Sequence, residues 1–293
     1  MKKWMIYVVM LLVASSSWAQ SRLGFSADGG LTWHVDNIDE TTPKTGGMTS
    51  LNGVYSFQYK KFILQAGLGI SEAWLVQGVE SLHREVSMLD SENMPYTLHV
   101  DLTGRRDIVA ATELNVPFMF GLKVDHFYIM MGAKFMVSFV GKAHMHADLT
   151  TKGDYGDRYY GMLENMPQHG FYDKLLVESR SDMQFRPDLH LCLEGGWTIP
   201  MPYYARRPSA PQLQLGAFFE FGLLNPIYKD NDVHVELDYS QHTQVHMNHI
   251  YTIFERKDAM VNSLRVGIRA TFLFPVRSKY ERTCNCTRYE NRP

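Results

Sequence analysis

Cysteine is scarce, with three in 293 residues, at 192, 284 and 286. That excludes a disulfide scaffold, and Cys284-x-Cys286 lacks the second thiol pair or the histidines that would complete a zinc motif. Cationic charge is not in excess either: 29 Lys and Arg face 31 Asp and Glu, which leaves no electrostatic footprint for nucleic acid. Beyond Ala19 no apolar run reaches the roughly 20 residues of a transmembrane helix. No shift in composition marks a boundary between soluble domains. What the chain does contain is aromatic residues, 16 Tyr and 16 Phe, and a persistent alternation of apolar with polar side chains.

The N-terminal segment MKKWMIYVVMLLVASSSWAQ carries Lys2 and Lys3, an apolar core from Trp4 to Val13, and small residues leading to Ser17-Trp18-Ala19. These are the parts of a secretory signal peptide over residues 1–19, cleaved after Ala19. No cysteine follows the cleavage site, so a lipid anchor is not expected. Loss of Lys2 and Lys3 reduces the 29 basic residues to 27 against 31 acidic ones, a mature charge of about −4.

Alternation is longest in VNSLRVGIRATFLF, residues 261–274. Taken as a strand, Leu264, Val266, Ile268, Ala270, Phe272 and Phe274 share one face. Ser263, Arg265, Gly267, Arg269 and Thr271 share the other. The same period of two runs through 22–34, 48–59, 62–74, 107–123, 126–142, 183–199 and 212–225. That makes eight strands. Lys60-Lys61 and Val124-Asp125 are hairpin-length connections. The stretches after the first, third, fifth and seventh strands (35–45, 76–106, 143–182 and 226–260) read as polar loops, the last three of them long. A soluble barrel has no reason to sort its connections by parity, whereas a membrane barrel has short periplasmic turns and longer external loops. In a secreted chain of this pattern the apolar faces look outward to lipid and the polar faces line the lumen. The expected fold is therefore all-β: an eight-stranded antiparallel up-and-down transmembrane β-barrel over residues 20–275. A tail follows over 276–293, and both termini lie in the periplasm. Pro117, within the fourth strand, cannot donate to a ladder and predicts a local bulge. A soluble lipocalin-like binder would need the opposite face assignment, with Arg265 and Arg269 in water.

The signal segment, the opening strand RLGFSADGGLTWH, the proline-bearing ELNVPFMFGLKV and the closing RVGIRATFLF resemble the PorT-like outer-membrane β-barrel family of Bacteroidota. The resemblance spans most of 20–275, rests on alternation and carries no catalytic signature. It implies the outer membrane of a Gram-negative bacterium and an eight-stranded barrel, and it implies little about activity. The tail beyond Phe274 departs from barrels that end on the terminal aromatic strand.

With the apolar faces outward, the lumen receives Asp28, Glu113, Lys134, His190, Glu194, Glu220, Arg265 and Arg269. An eight-stranded barrel is just wide enough for its own side chains, so these charges are expected to interlock as a structural plug. A general porin is thereby disfavoured. No cofactor-binding motif is present. Loop histidines His242 and His246 are spaced as helical metal ligands, but no HExxH glutamate accompanies them, and they are weak metal candidates. His144 and His146 flank the top of the fifth strand. Tyr155, Tyr159, Tyr160, Phe171 and Tyr172 fall in the loop over 143–182, where tyrosines suit protein or glycan contact or equally extend barrel strands above the membrane and stack there without a partner. The expected role is non-enzymatic, structural or in surface interaction. The alternative is an outer-membrane enzyme acting on lipid A or peptide at the extracellular rim. Expected partners are outer-membrane lipid, the barrel-assembly machinery and a protein or glycan at the loops, for a monomeric chain.

Overall fold

The structure is a computed structural model and describes residues 19–36, 41–156, 161–201, 210–226, 236–237, 245–246 and 261–276. Residues 1–18 of the signal segment, His242, Tyr159, Tyr160, Cys284 and Cys286 lie outside the described residues, as does almost all of the tail. Eight antiparallel strands close a ring. In order around it they are β1 (Ala19–Asp36), β2 (Thr41–Tyr59), β3 (Phe62–Leu89), β4 (Pro95–Val124), β5 (Phe127–Asp154), β8 (Asp188–Pro200), β9 (Gln212–Gly222) and β12 (Val261–Pro275). β12 pairs with β1 over fifteen positions, from Arg22↔Pro275 to Asp36↔Val261. Closure leaves no strand edge unpaired within the ring, which is the condition for crossing lipid with strands. No helix among the described residues is long and apolar enough to cross a membrane.

The pleat sorts side chains as the alternation requires. Ile268 is 74% exposed on the outer face while Arg265 is 3% exposed within. Phe25, Leu51, Leu68, Phe118, Phe135, Leu193 and Phe219 continue the outward belt around the barrel. A contiguous apolar surface of this extent has one suitable solvent, the hydrocarbon of a bilayer. Trp197 and Phe127 meet edge to face at 5.7 Å near the hairpin end, as an interfacial aromatic girdle does.

Three strands run far beyond that belt. β3, β4 and β5 have 28, 30 and 28 residues, where about ten suffice to cross a bilayer. Residues 76–106 are therefore not the irregular loop expected from composition. They form the continuation of the β3–β4 hairpin, in one register from Phe62↔Leu122 to Leu89↔Pro95, closed by a turn in which Asp90 Oδ1 accepts the Glu92 and Met94 amides at 2.9 and 2.8 Å. Much of 143–182 is likewise ordered: β5 continues to Asp154, and β7 (Leu175–Asp182) pairs with it. A two-residue β6 (Met162–Leu163) adds to its end. In the last connection β10 (Glu236–Leu237) pairs with β11 (Val245–His246).

Within these extensions the polarity of the sheet inverts. Tyr96, Leu98, Val100 and Leu102 on β4, Ala143, Met145, Ala147 and Leu149 on β5, and Val177 on β7 form one buried apolar cluster capped by Phe171. The inversion is accompanied by two bulges. One lies between Thr103 and Arg106 on β4, where Gly104 takes φ +60°, and the other sets Glu113 against Ser138 so that Phe139 is extra on β5. Each bulge puts two consecutive residues on the exposed side and so moves the buried set to the other parity. Pro117 does not produce a bulge. Its pairing to β3 lapses opposite Gly67 and Leu68 with the register unchanged, and a Cβ on Gly67 would meet the Pro117 ring at 3.1 Å. The absent side chain accommodates the ring.

Ile268→Arg is expected to cost about 2–4 kcal/mol at mid-bilayer depth. It should abolish the fast-migrating unboiled band on a heat-modifiability gel, whereas Thr103→Arg, on the water-facing extension, should leave that band intact.

Candidate functional site

The closed ring directs one face of every strand into a narrow lumen, and the side chains there form a connected polar network. Its centre is Arg269. Its Nε and one terminal nitrogen donate to the two oxygens of Asp28 at 2.7 and 2.8 Å, its NH1 donates to Glu194 at 2.6 Å, and Glu220 lies 3.5 Å away. Asp28 is directly opposite Arg269 across the β1–β12 ladder, and it also accepts bonds from Ser50 at 2.7 Å and Asn52 at 3.2 Å. Glu194 takes its second donor from the Tyr128 hydroxyl at 2.7 Å. Gly216 makes room for that phenol, because a Cβ there would sit 2.5 Å from its oxygen. Glu220 is paired with Lys134.

Nearer the outer end, Arg265 grips Glu113 with two bonds of 3.0 Å, and Ser71 donates to the same carboxylate at 3.1 Å. Bidentate geometry of this kind is the strongest form of ion pair available to a guanidinium. His190 Nε2 lies 2.9 Å from Asp188 and 3.0 Å from the Ser263 hydroxyl, and its Nδ1 faces Glu220 at 3.8 Å. Phe218 lies beneath both central cations, 5.2 Å from the Arg269 guanidinium carbon and 6.0 Å from Lys134 Nζ, a cation–π contact that water cannot screen at this burial.

All eight residues singled out from the sequence, Asp28, Glu113, Lys134, His190, Glu194, Glu220, Arg265 and Arg269, are buried in this one lumen. Sequence reasoning omitted Asp188, Tyr128, Ser263, Ser50, Asn52 and Phe218 from the cluster. Tyr128, Ser263 and Asp188 share the inward parity of their strands, so that signal was available. Phe218 was hidden because an aromatic on the polar parity looks like noise until its cationic neighbours are known.

The lumen has little free space. A cavity of ≈ 20 Å³ lies beside Arg269, among Ser26, Asn52 and Gln65, about the size of one water. Gln65 donates across the barrel to Gln214 at 2.9 Å, and below it Ile63, Met119 and Met130 pack around Tyr128. The serine, histidine and carboxylates do not form a nucleophilic relay. Ser263 and Asp188 converge on the same imidazole nitrogen, and Glu220, the carboxylate that faces the opposite one, lies 3.8 Å away, beyond hydrogen-bond reach. All three are buried. Outside the lumen, His144 faces Glu178 of β7 at 3.6 Å, and Tyr96 stacks on Tyr155 at 4.9 Å with Phe171 edge-on at 6.1 Å.

The closed ring, charged interior and apolar exterior define a transmembrane β-barrel of the outer-membrane type. No family model matches the chain, and no curated protein matches it. Among solved structures it is similar to neisserial surface protein A (NspA), at 9% identity and TM-score 0.28 over 85% of this chain and 95% of that one. It is also similar to Ail, the attachment invasion locus protein of Yersinia pestis, solved in complex with the heparin analogue sucrose octasulfate. That match has 9% identity and TM-score 0.29 over 86% of this chain and 99% of that one.

Replacing Arg269 by Met leaves Asp28 and Glu194 without their cation in a buried interior, while Glu220 keeps Lys134. The expected cost is about 3–5 kcal/mol, read as a lower urea midpoint for loss of the fast-migrating band. Adding Asp28→Asn to Arg269→Met should recover part of the loss, since the deserted carboxylate is then neutral.

Proposed function

We propose that this chain is an outer-membrane β-barrel of Gram-negative type that acts without catalysis, as a sealed anchor presenting an ordered extracellular head to a protein partner. Both termini lie in the periplasm in this reading. It includes a cleaved signal over 1–19, a periplasmic tail over 276–293, a monomeric barrel inserted by the barrel-assembly machinery, and the PorT-like affinity suggested by the end strands. The interlocked lumen supports an anchor and disfavours a general porin.

The observation that carries the contact role is at the far end of the β3–β5 extensions. There a recess of ≈ 610 Å³ opens between the β3–β4 turn and residues 163–171, lined by Met88, Met94, Tyr96, Tyr155, Met166 and Phe171 among others. Its volume falls within the range of ligand-binding clefts. Methionines fit irregular apolar surfaces, and tyrosines supply rigid amphipathic contact area. A recess lined this way suits an apolar side chain of a partner protein.

Reconstituted wild type should show no stepwise conductance in planar bilayers. On an array of extracellular proteins and glycans, Tyr155→Asp and Met166→Asp should weaken protein binding at least about tenfold while assembling as well as wild type. Conductance steps, wild-type binding to glycans alone or to nothing on the array, binding unaffected by the two variants, or cleavage of lipid A by the wild type would overturn this reading.

A further inference from the structure

Two short patterns on the extension play no part in the lumen or in the recess. They are His83-Arg84-Glu85 on β3 and His99-Val100-Asp101 on β4. The hairpin register sets His83 opposite Asp101 and Glu85 opposite His99. Residues two apart share a face, so the two imidazoles and two carboxylates form a compact square on one side of the ribbon.

We propose that this square is a binding site for a divalent transition cation of the zinc class, ligated by His83, Glu85 and His99 and positioned by Asp101. The donor atoms are already gathered. His83 Nε2 and His99 Nδ1 lie 3.3 and 3.4 Å from the same Glu85 oxygen, and the three donors fall within 4.8 Å of one another. Zinc bonds of about 2.0–2.2 Å require tetrahedral ligands about 3.3 to 3.6 Å apart, so two of the three edges of the coordination shell already have close to the right length.

The two histidines are oriented for the same task. Asp101 Oδ1 is 2.6 Å from His83 Nδ1, which turns Nε2 toward Glu85. This is the carboxylate–histidine arrangement that fixes ring orientation and raises ligand basicity at metal centres. In His99 the far nitrogen, Nε2, is buried without a hydrogen-bond partner, so Nδ1 is the nitrogen offered to a ligand. Lys152 stands opposite His99 on β5, but its ammonium is held by Glu164 at 2.9 Å. Two imidazoles and one carboxylate suit zinc and its first-row neighbours better than calcium or magnesium, which take oxygen ligands. His83 and Glu85 are exposed, which leaves a fourth position open to water or to an incoming ligand.

The test uses the full chain in detergent, purified through a tag without histidine, with Zn²⁺ titrated by calorimetry and Co²⁺ followed by visible absorption. Wild type should show a tetrahedral Co²⁺ spectrum and a Zn²⁺ equivalent that disappears in His83→Ala and in His99→Ala. Asp101→Asn should keep the spectrum and weaken affinity about 10–100-fold. His144→Ala and His242→Ala should leave both readouts unchanged. Folding of each variant is checked by its unboiled gel band. Zinc affinity and stoichiometry that persist in folded His83→Ala and His99→Ala would overturn the proposal and leave an exposed set of histidine–carboxylate pairs. An unchanged affinity in Asp101→Asn would overturn the positioning role.

Discussion

A guanidinium surrounded by three carboxylates, as Arg269 is by Asp28, Glu194 and Glu220, is the point on which the barrel depends. The three acids come from β1, β8 and β9, and the arginine from β12, so the cluster ties together the strands on either side of the seam where the chain's first strand meets its last. Ring closure brings the cluster together, and the cluster in turn favours this closure. A one-residue slip at the β1–β12 seam would turn Arg269 to lipid and leave Asp28 and Glu194 without a cation. The same dry interior that makes the pairs strong makes any orphaned member costly. The central charges accordingly sit in ion pairs, Arg269 with Asp28 and Glu194, Arg265 with Glu113 and Lys134 with Glu220.

Along β3, β4 and β5 a single pleated sheet meets two solvents. Through the belt the apolar side chains face out and charges face in. Above it, Leu98, Val100, Met145 and Leu149 turn inward while His83, Glu85 and Asp148 face water. The reversal follows from the exterior medium alone: hydrocarbon below, water above. Bulges at Thr103–Arg106 and at Phe139 provide the change of parity that the backbone needs for it. The result is a water-facing head with its own apolar core on a barrel whose lumen holds the ion network. The head carries the recess and the histidine–carboxylate square.

Much of the barrel was legible because membrane strands obey a strict period of two. Ser263 through Phe274 state their faces residue by residue, and the lumen charges follow from parity. The extensions were not legible for a physical reason. Their exposed face is polar, as in any loop, and their buried face changes parity at a bulge, so neither a lipid-facing signal nor an unbroken alternation survives in 76–106. Pro117 misled in a related way. Its missing donor predicted an irregular register, but Gly67 on the neighbouring strand absorbs the ring, and that partnership is invisible in a single strand.

What the amino-acid sequence determined by itself was local: which residues share a face, which face is charged, and that an odd–even sorting of connections fits a membrane barrel. These follow from backbone geometry and solvent preference, which act within a strand. Tertiary structure decided which charges meet. Arg269 and Asp28 are separated by 241 positions in the chain, and His83 reaches Asp101 only through a register set over the whole length of a hairpin. Pairing between distant segments is a property of ring closure and register, so the ion network, the apolar head and the candidate metal site come into being only when the strands are assembled.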